Sequence, residues 1–149
     1  MKKTILFCAA LLLAFAGYGQ YLKPKSELVL NDRMYEMYSQ TEIEKMYHND
    51  FERLFRLNFK MTCFARVEGK SVENGQTLGF IEEYANEGVV VDEDRIVREW
   101  SLNPYDYSFP QDEDLTNVFR LHTPGYYVVV PSKREYAEME QANLRQFEY

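Results

Sequence analysis

The longest regular pattern of apolar positions in the chain lies between Thr41 and Val67. Thr41 and Glu44 have the spacing of a capping box, in which two side chains bond free backbone amides at the start of a helix. The apolar side chains that follow recur at steps of three and four, which places them on one helical face: Ile43, Met46, Tyr47, Phe51, Leu54 and Phe55. The pattern therefore predicts a helix that begins at Thr41.

Two structures fit the second part of this stretch, from Leu57 to Val67. Every second residue is apolar, as in a strand, but Met61, Phe64 and Ala65 also extend the helical face of Leu57. No turn residue interrupts the run before Gly69, and glycine commonly follows the last residue of a helix. One long helix is therefore favoured, with a strand as the alternative.

Two polar residues, Asp50 and Asn58, fall within the apolar arc of this predicted helix. A polar side chain in that position must be paired, hydrogen-bonded or at the edge of the core. We therefore treat both as candidate binding residues that face a pocket. The alternative is a structural role in which they hold a neighbouring loop.

Two apolar runs, 118–122 and 126–130, predict a β-hairpin. They flank Thr123-Pro124-Gly125, and Pro-Gly suits the centre of a type II turn. Val128, Val129 and Val130 are consecutive apolar residues, as expected of a strand that is covered on both faces. The hairpin is the clearest β signal in the chain.

The pattern on either side of this hairpin is less regular. Residues 78–91 favour a second hairpin with Val89–Val91 as a buried strand, although residues 77–84 also fit a short helix. Asp92 can cap a following helix. Ser132 and Glu135 repeat the capping-box spacing and predict a C-terminal helix to about Phe147, whose thin apolar stripe places it at the surface or against a partner.

These elements predict one α+β domain over residues 20–149. One long N-terminal helix would pack on a small, mainly antiparallel sheet, with a helix at the C-terminus. No internal repeat or low-complexity linker divides the chain.

The first 19 residues have the pattern of a secretory signal peptide. Lys2 and Lys3 are followed by an apolar run, 5–15, that is too short to span a bilayer. Cleavage is expected after Ala16, with Gly19 as the alternative. We therefore expect an exported bacterial protein, periplasmic or secreted, with no stable membrane insertion after cleavage.

Charge narrows the classes of partner. The chain carries a net charge of −7 from 17 basic and 24 acidic residues, and removal of Lys2 and Lys3 leaves 15 basic residues and a charge of about −9. No cluster of lysine and arginine forms a basic patch. Nucleic acid is therefore not an expected partner, whereas a protein or a carbohydrate fits.

An aromatic-rich segment, 100–109, supplies the candidate binding surface. Prolines at 104 and 110 exclude a regular helix or a central strand there, so the segment is a loop or an edge. Exposed rings on a loop can stack on sugars or form a protein interface, although they can also fold back over the core. The candidate binding residues of the segment are Trp100, Tyr105, Tyr107 and Phe109.

Catalytic motifs are absent from the sequence, as are metal-binding motifs and cofactor-binding loops. Cys63 is the only cysteine after the signal peptide, and a Cys63–His122 pair has no local support. The acidic runs at 92–94 and 112–114 lack the spacing of a calcium loop. We therefore predict a non-enzymatic binding or assembly module without a cofactor or metal. The alternative is a small hydrolase that uses carboxylates or Cys63.

Overall fold

The computed structural model describes residues 21–69 and 75–149, so the predicted signal peptide lies outside the described residues. Within these ranges the chain forms five α-helices, one two-stranded sheet and one four-stranded sheet. The protein therefore has an α+β fold, as predicted. No helix in the described ranges is long and apolar enough to cross a bilayer.

The helices are α1 (Met34–Met37), α2 (Gln40–Asn49), α3 (Phe51–Cys63), α4 (Glu93–Glu99) and α5 (Lys133–Leu144). The strands are β1 (Lys23–Pro24), β2 (Arg66–Glu68), β3 (Gly75–Phe80), β4 (Thr116–Arg120), β5 (Tyr127–Val130) and β6 (Phe147–Glu148). Short 3-10 turns occupy Lys25–Glu27, Ile81–Tyr84 and Pro104–Asp106.

The four-stranded sheet has the order β2-β5-β4-β3 and is mainly antiparallel, as predicted. Strand β5 runs antiparallel to β2 and β4, whereas β3 runs parallel to β4. The predicted Pro-Gly hairpin is confirmed as β4 and β5, with Val118 opposite Val129 and Phe119 opposite Val128. Val128, Val129 and Val130 are all buried, so both faces of β5 are covered. The two-stranded sheet consists of β1 and β6, which lie near the two ends of the described chain and pair in parallel.

The prediction of one long helix is wrong, because the helix is interrupted at Asp50. The backbone there leaves the helical region (φ −153°, ψ 64°), which ends α2 and begins α3. The Asp50 carboxylate accepts a hydrogen bond from the Arg53 amide at 3.2 Å and so caps α3. Asparagine and aspartate form such local bonds readily, and Asn49-Asp50 therefore interrupts an apolar pattern that is otherwise continuous.

The predicted capping box of Thr41 and Glu44 is also wrong, because the cap lies two residues earlier, at Ser39. The capping box is formed by Ser39 and Glu42, where Ser39 Oγ accepts from the Glu42 amide at 3.3 Å and Glu42 accepts from the Ser39 amide at 2.8 Å. Tyr38 and Ile43 pack in the same cluster, with the spacing of a hydrophobic staple. Two overlapping serine/threonine-to-glutamate spacings were present, and tertiary packing selects the earlier one.

Both structures considered for residues 57–67 occur in turn. Helix α3 ends at Cys63, and the chain then enters β2. Ala65, just before the strand, and Val67, within it, are both buried. Gly69 follows this strand, so its predicted role after a helix is wrong. A helical face and an alternating strand cannot be separated by periodicity where one runs directly into the other.

The second predicted hairpin, over residues 78–91, is wrong. Strand β3 ends at Phe80 and pairs in parallel with β4, and Val90 is 90% exposed instead of lying in a buried strand. The predicted cap at Asp92 is confirmed, because its carboxylate accepts from the Arg95 amide at 3.1 Å at the start of α4.

Helix α5 begins at the predicted Ser132 cap but ends at Leu144, and Phe147 belongs to β6. Its apolar stripe does not require a partner, because it packs on α3 within the same chain. Tyr136 contacts Phe59 at 5.5 Å between ring centroids, and Leu144 lies in the same buried cluster. A larger apolar cluster lies on the sheet, where the rings of the aromatic segment meet β4 and β5.

Candidate functional site

The aromatic segment 100–109 divides between the core and the surface. Tyr107 and Phe109 are 9% and 7% exposed, and their rings stack on each other at 4.8 Å between centroids with an interplanar angle of 4°. Phe109 also contacts Phe119 of β4 at 4.6 Å. Burial raises the pKa of Tyr107 to about 12. These two rings form part of the core and present no surface to a partner, which corrects their assignment as exposed binding residues.

Tyr105 packs against α3, where it is half-buried, and not against the sheet. Its hydroxyl donates to the Leu57 carbonyl at 3.1 Å, and burial raises its pKa to about 12. The Lys60 ammonium lies over its ring, 4.7 Å from the centroid. Tyr105 therefore forms one wall of an open groove beside α3.

The two polar candidates on the helix have separate roles. Asp50 is exposed and lies at one end of that groove, because the helix break turns it away from the core. Asn58 is buried, and it accepts from the Asn31 amide at 2.7 Å and donates to the Val29 carbonyl at 3.0 Å. The alternative structural role is thus the one that Asn58 fulfils, since it anchors the segment before α1 to α3.

Trp100 is the aromatic residue of the segment that remains exposed, at 45%. It ends α4 in the left-handed conformation (φ 51°, ψ 35°), which costs a residue with a side chain about 1–2 kcal/mol. Its indole meets Tyr126 edge to face, 5.4 Å between centroids. A Cβ atom at Gly69 would lie only 3.1 Å from the indole, so the absence of a side chain there lets the ring lie against the backbone.

A second pair of rings continues this surface on the sheet. Phe80 and His122 stack at 4.3 Å with an interplanar angle of 9°, and a shallow depression of about 350 Å³ separates them from Tyr126. Arg120 lines the same depression. We call Phe80, Trp100, His122 and Tyr126 the aromatic surface.

Two polar contacts hold the aromatic surface in place. His122 Nε2 lies 2.6 Å from Glu82 Oε1, and this hydrogen bond raises the pKa of the imidazole. The turn of the β4–β5 hairpin is tied to α4, because the Thr123 amide donates to the Glu93 carboxylate at 3.0 Å. The hairpin and the helix that ends in Trp100 are thereby fixed relative to each other.

The groups proposed for hydrolysis have other partners. Cys63 packs with the apolar cluster between α3 and α5, whereas His122 is engaged by Phe80 and Glu82. In the described part of the chain, no group of three or more histidine, cysteine, aspartate or glutamate side chains could hold a metal ion. None of these contacts favours the hydrolase alternative.

The sequence identified Trp100 but not the other three residues of the aromatic surface. Phe80 and His122 meet because β3 pairs with β4 in parallel, where Phe80 lies opposite Arg120. Tyr126 follows the hairpin turn and meets Trp100 at the end of α4. No local pattern signals contacts that depend on this strand order.

The chain matches no protein-family model, and no curated protein or solved structure is detectably similar to it.

Proposed function

We propose that this protein is an exported, non-enzymatic binding module that contacts a partner through the aromatic surface. The observation that carries the proposal is Trp100, an indole that is 45% exposed at a strained backbone position. Glycine would occupy the capping position after α4 without strain. Trp100 is energetically unfavourable at this position and leaves much of its ring in water, which supports a role in binding and not in stabilising the fold.

The composition of the surface favours a protein partner. Tryptophan, tyrosine and arginine are the residues most enriched among those that dominate protein interfaces, and Trp100, Tyr126 and Arg120 lie together here. The shallow depression is open, so it suits an inserted side chain better than an enclosed small molecule. The Glu82–His122 pair and Arg120 provide a polar rim.

Trp100 is the single tryptophan of the chain, so its fluorescence reports on this surface alone. A photo-crosslinking residue at Tyr126 is expected to capture a discrete partner in the exported fraction of the source cells. With that partner purified, Trp100→Ala is expected to weaken binding at least about tenfold, because interface tryptophans commonly contribute more than about 1.4 kcal/mol. Isothermal titration calorimetry measures the change.

The matched control is Val90, a 90% exposed apolar residue outside the aromatic surface. A crosslinker at Val90 is expected to capture nothing, and Val90→Ala is expected to bind as the parent protein does. Equal capture at both positions, or unchanged affinity of Trp100→Ala, contradicts the proposal. A response of Trp100 fluorescence to soluble oligosaccharides, without a protein partner, would instead assign the surface to carbohydrate.

The export part of the proposal is tested by the mass of the exported protein. We expect the chain to begin at residue 17 or 20, because the cleavage positions follow Ala16 or Gly19. Intact-mass spectrometry of the extracellular and periplasmic fractions measures the difference directly. An exported chain that retains Met1 would rule out the cleaved signal peptide.

A further inference from the structure

A second surface lies on different elements from the aromatic surface. An open groove of about 560 Å³ runs along α3, with Tyr105 on one side and Tyr136 of α5 on the other. Its volume is in the range of small-molecule sites. Leu57 contributes to its floor, and Lys60 lies at the base of the Tyr105 wall. We call this the Lys60 groove.

The charged groups that line the Lys60 groove are mostly neutralised within the protein. Arg56 bonds Glu52 on its own helix at 2.8 Å and also pairs with Glu140 on α5. Asp50 is engaged in capping α3. Arg56 and its two carboxylates together carry one net negative charge.

Arg53 also lines the groove without an ion pair among the described residues, but it is exposed to solvent. Lys60 is half-buried. Its ammonium lies 4.7 Å from the centroid of Tyr105 and 5.0 Å from that of Phe64, and it makes no ion pair among the described residues. Burial lowers the pKa of Lys60. Contact with two ring faces compensates only part of the lost hydration of a cation. An uncompensated, half-buried cation in an acidic protein favours binding of an anion.

We propose that the Lys60 groove binds a small organic carboxylate with an apolar or aromatic body. The carboxylate would pair with the Lys60 ammonium, and the body would cover Leu57 between Tyr105 and Tyr136. A bare inorganic anion would pair with the Lys60 ammonium but would not cover Leu57. A cationic ligand would meet the lysine with like charge.

Phenylacetate is the probe that carries both features. We expect saturable shifts of the lysine signals in protein whose lysines carry ¹³C-labelled methyl groups, centred on the signal that disappears in Lys60→Gln. That variant is expected to bind phenylacetate at least about tenfold more weakly, because a charge-assisted hydrogen bond is lost. Lys60→Arg retains the charge and is expected to recover part of the affinity.

Three controls separate this site from general attraction to lysines. Lys45→Gln changes an exposed lysine on α2 and is expected to leave binding unchanged. Acetate, which lacks the ring, and benzylamine, which reverses the charge, are both expected to bind at least about tenfold more weakly than phenylacetate. Circular dichroism confirms that each variant is folded.

The proposal is overturned if phenylacetate causes no saturable shift of the Lys60 signal. It is equally overturned if folded Lys60→Gln binds as the parent protein does, or if benzylamine binds as tightly as phenylacetate. Because Trp100 does not line the Lys60 groove, these outcomes are independent of binding at the aromatic surface.

Discussion

Replacement of Phe109 by alanine is expected to lower the free energy of unfolding by about 3–5 kcal/mol. The ring is 7% exposed, stacks on Tyr107 and contacts Phe119, so its removal leaves a cavity that these rigid neighbours cannot fill. A domain of this size has only about 5–15 kcal/mol of stability, so the loss is a large share of the total. Urea unfolding followed by circular dichroism measures it.

Two variants show whether the effect comes from core packing. Phe109→Leu retains most of the buried apolar volume and is expected to cost about 1.5 kcal/mol or less. Leu115→Ala removes a side chain that is 50% exposed, so a change within about 0.5 kcal/mol is expected. If Phe109→Ala unfolded at the same urea concentration as the parent protein, the assignment of this ring to the core would be wrong.

The sequence predicted elements whose signals are local. The β4–β5 hairpin follows from a Pro-Gly turn between two apolar runs, and the Asp92 and Ser132 caps follow from side-chain bonds to nearby amides. Each of these depends on residues within a few positions of one another. The α+β class follows from the same local signals.

The errors arise where a local signal competes with tertiary contacts. The apolar positions continue without interruption on either side of Asp50, so the sequence pattern predicts one helix. The structure has two helices there, because Asp50 caps α3 through the Arg53 amide. The run Val89–Val91 has strand-forming residues, but β3 pairs with β4 instead. Parallel pairing between strands distant in sequence has no short-range signature, which also explains why Phe80 and His122 were not expected to meet.

The candidate site shows the same division. Residue type alone identified rings that are suited to binding, but burial depends on neighbours that the sequence does not place. Tyr107 and Phe109 alternate with exposed Ser108, so both face the sheet, whereas Trp100 ends a helix and remains at the surface. The sequence offered no reason to select Lys60, because what distinguishes it is its contact with the rings of Phe64 and Tyr105.

The side chain of Asn58 joins α3 to the segment before α1. Its side-chain oxygen accepts from the Asn31 amide at 2.7 Å and its nitrogen donates to the Val29 carbonyl at 3.0 Å. The side chain is 6% exposed, so water cannot readily replace it as a partner. The Asn58 amide group therefore attaches the segment before α1 to α3, together with the contact of Asn31 with Thr62 at 3.5 Å and the packing of Leu28 and Leu30 in the apolar cluster of α3.

Asn58→Ala is therefore expected to lower the free energy of unfolding by about 2–3 kcal/mol, because two backbone groups lose their partner on removal of one side chain. Asn58→Asp keeps the shape and the acceptor but places a carboxylate against the Val29 carbonyl, so it is expected to preserve the Asn31 bond alone. Hydrogen exchange distinguishes the two, since the Asn31 amide is expected to lose protection in Asn58→Ala and to keep it in Asn58→Asp. Asn49→Ala, at an exposed asparagine, is the control and is expected to change stability by no more than about 0.5 kcal/mol. If Asn58→Ala retained full stability and a protected Asn31 amide, Asn58 would not be the residue that holds this segment.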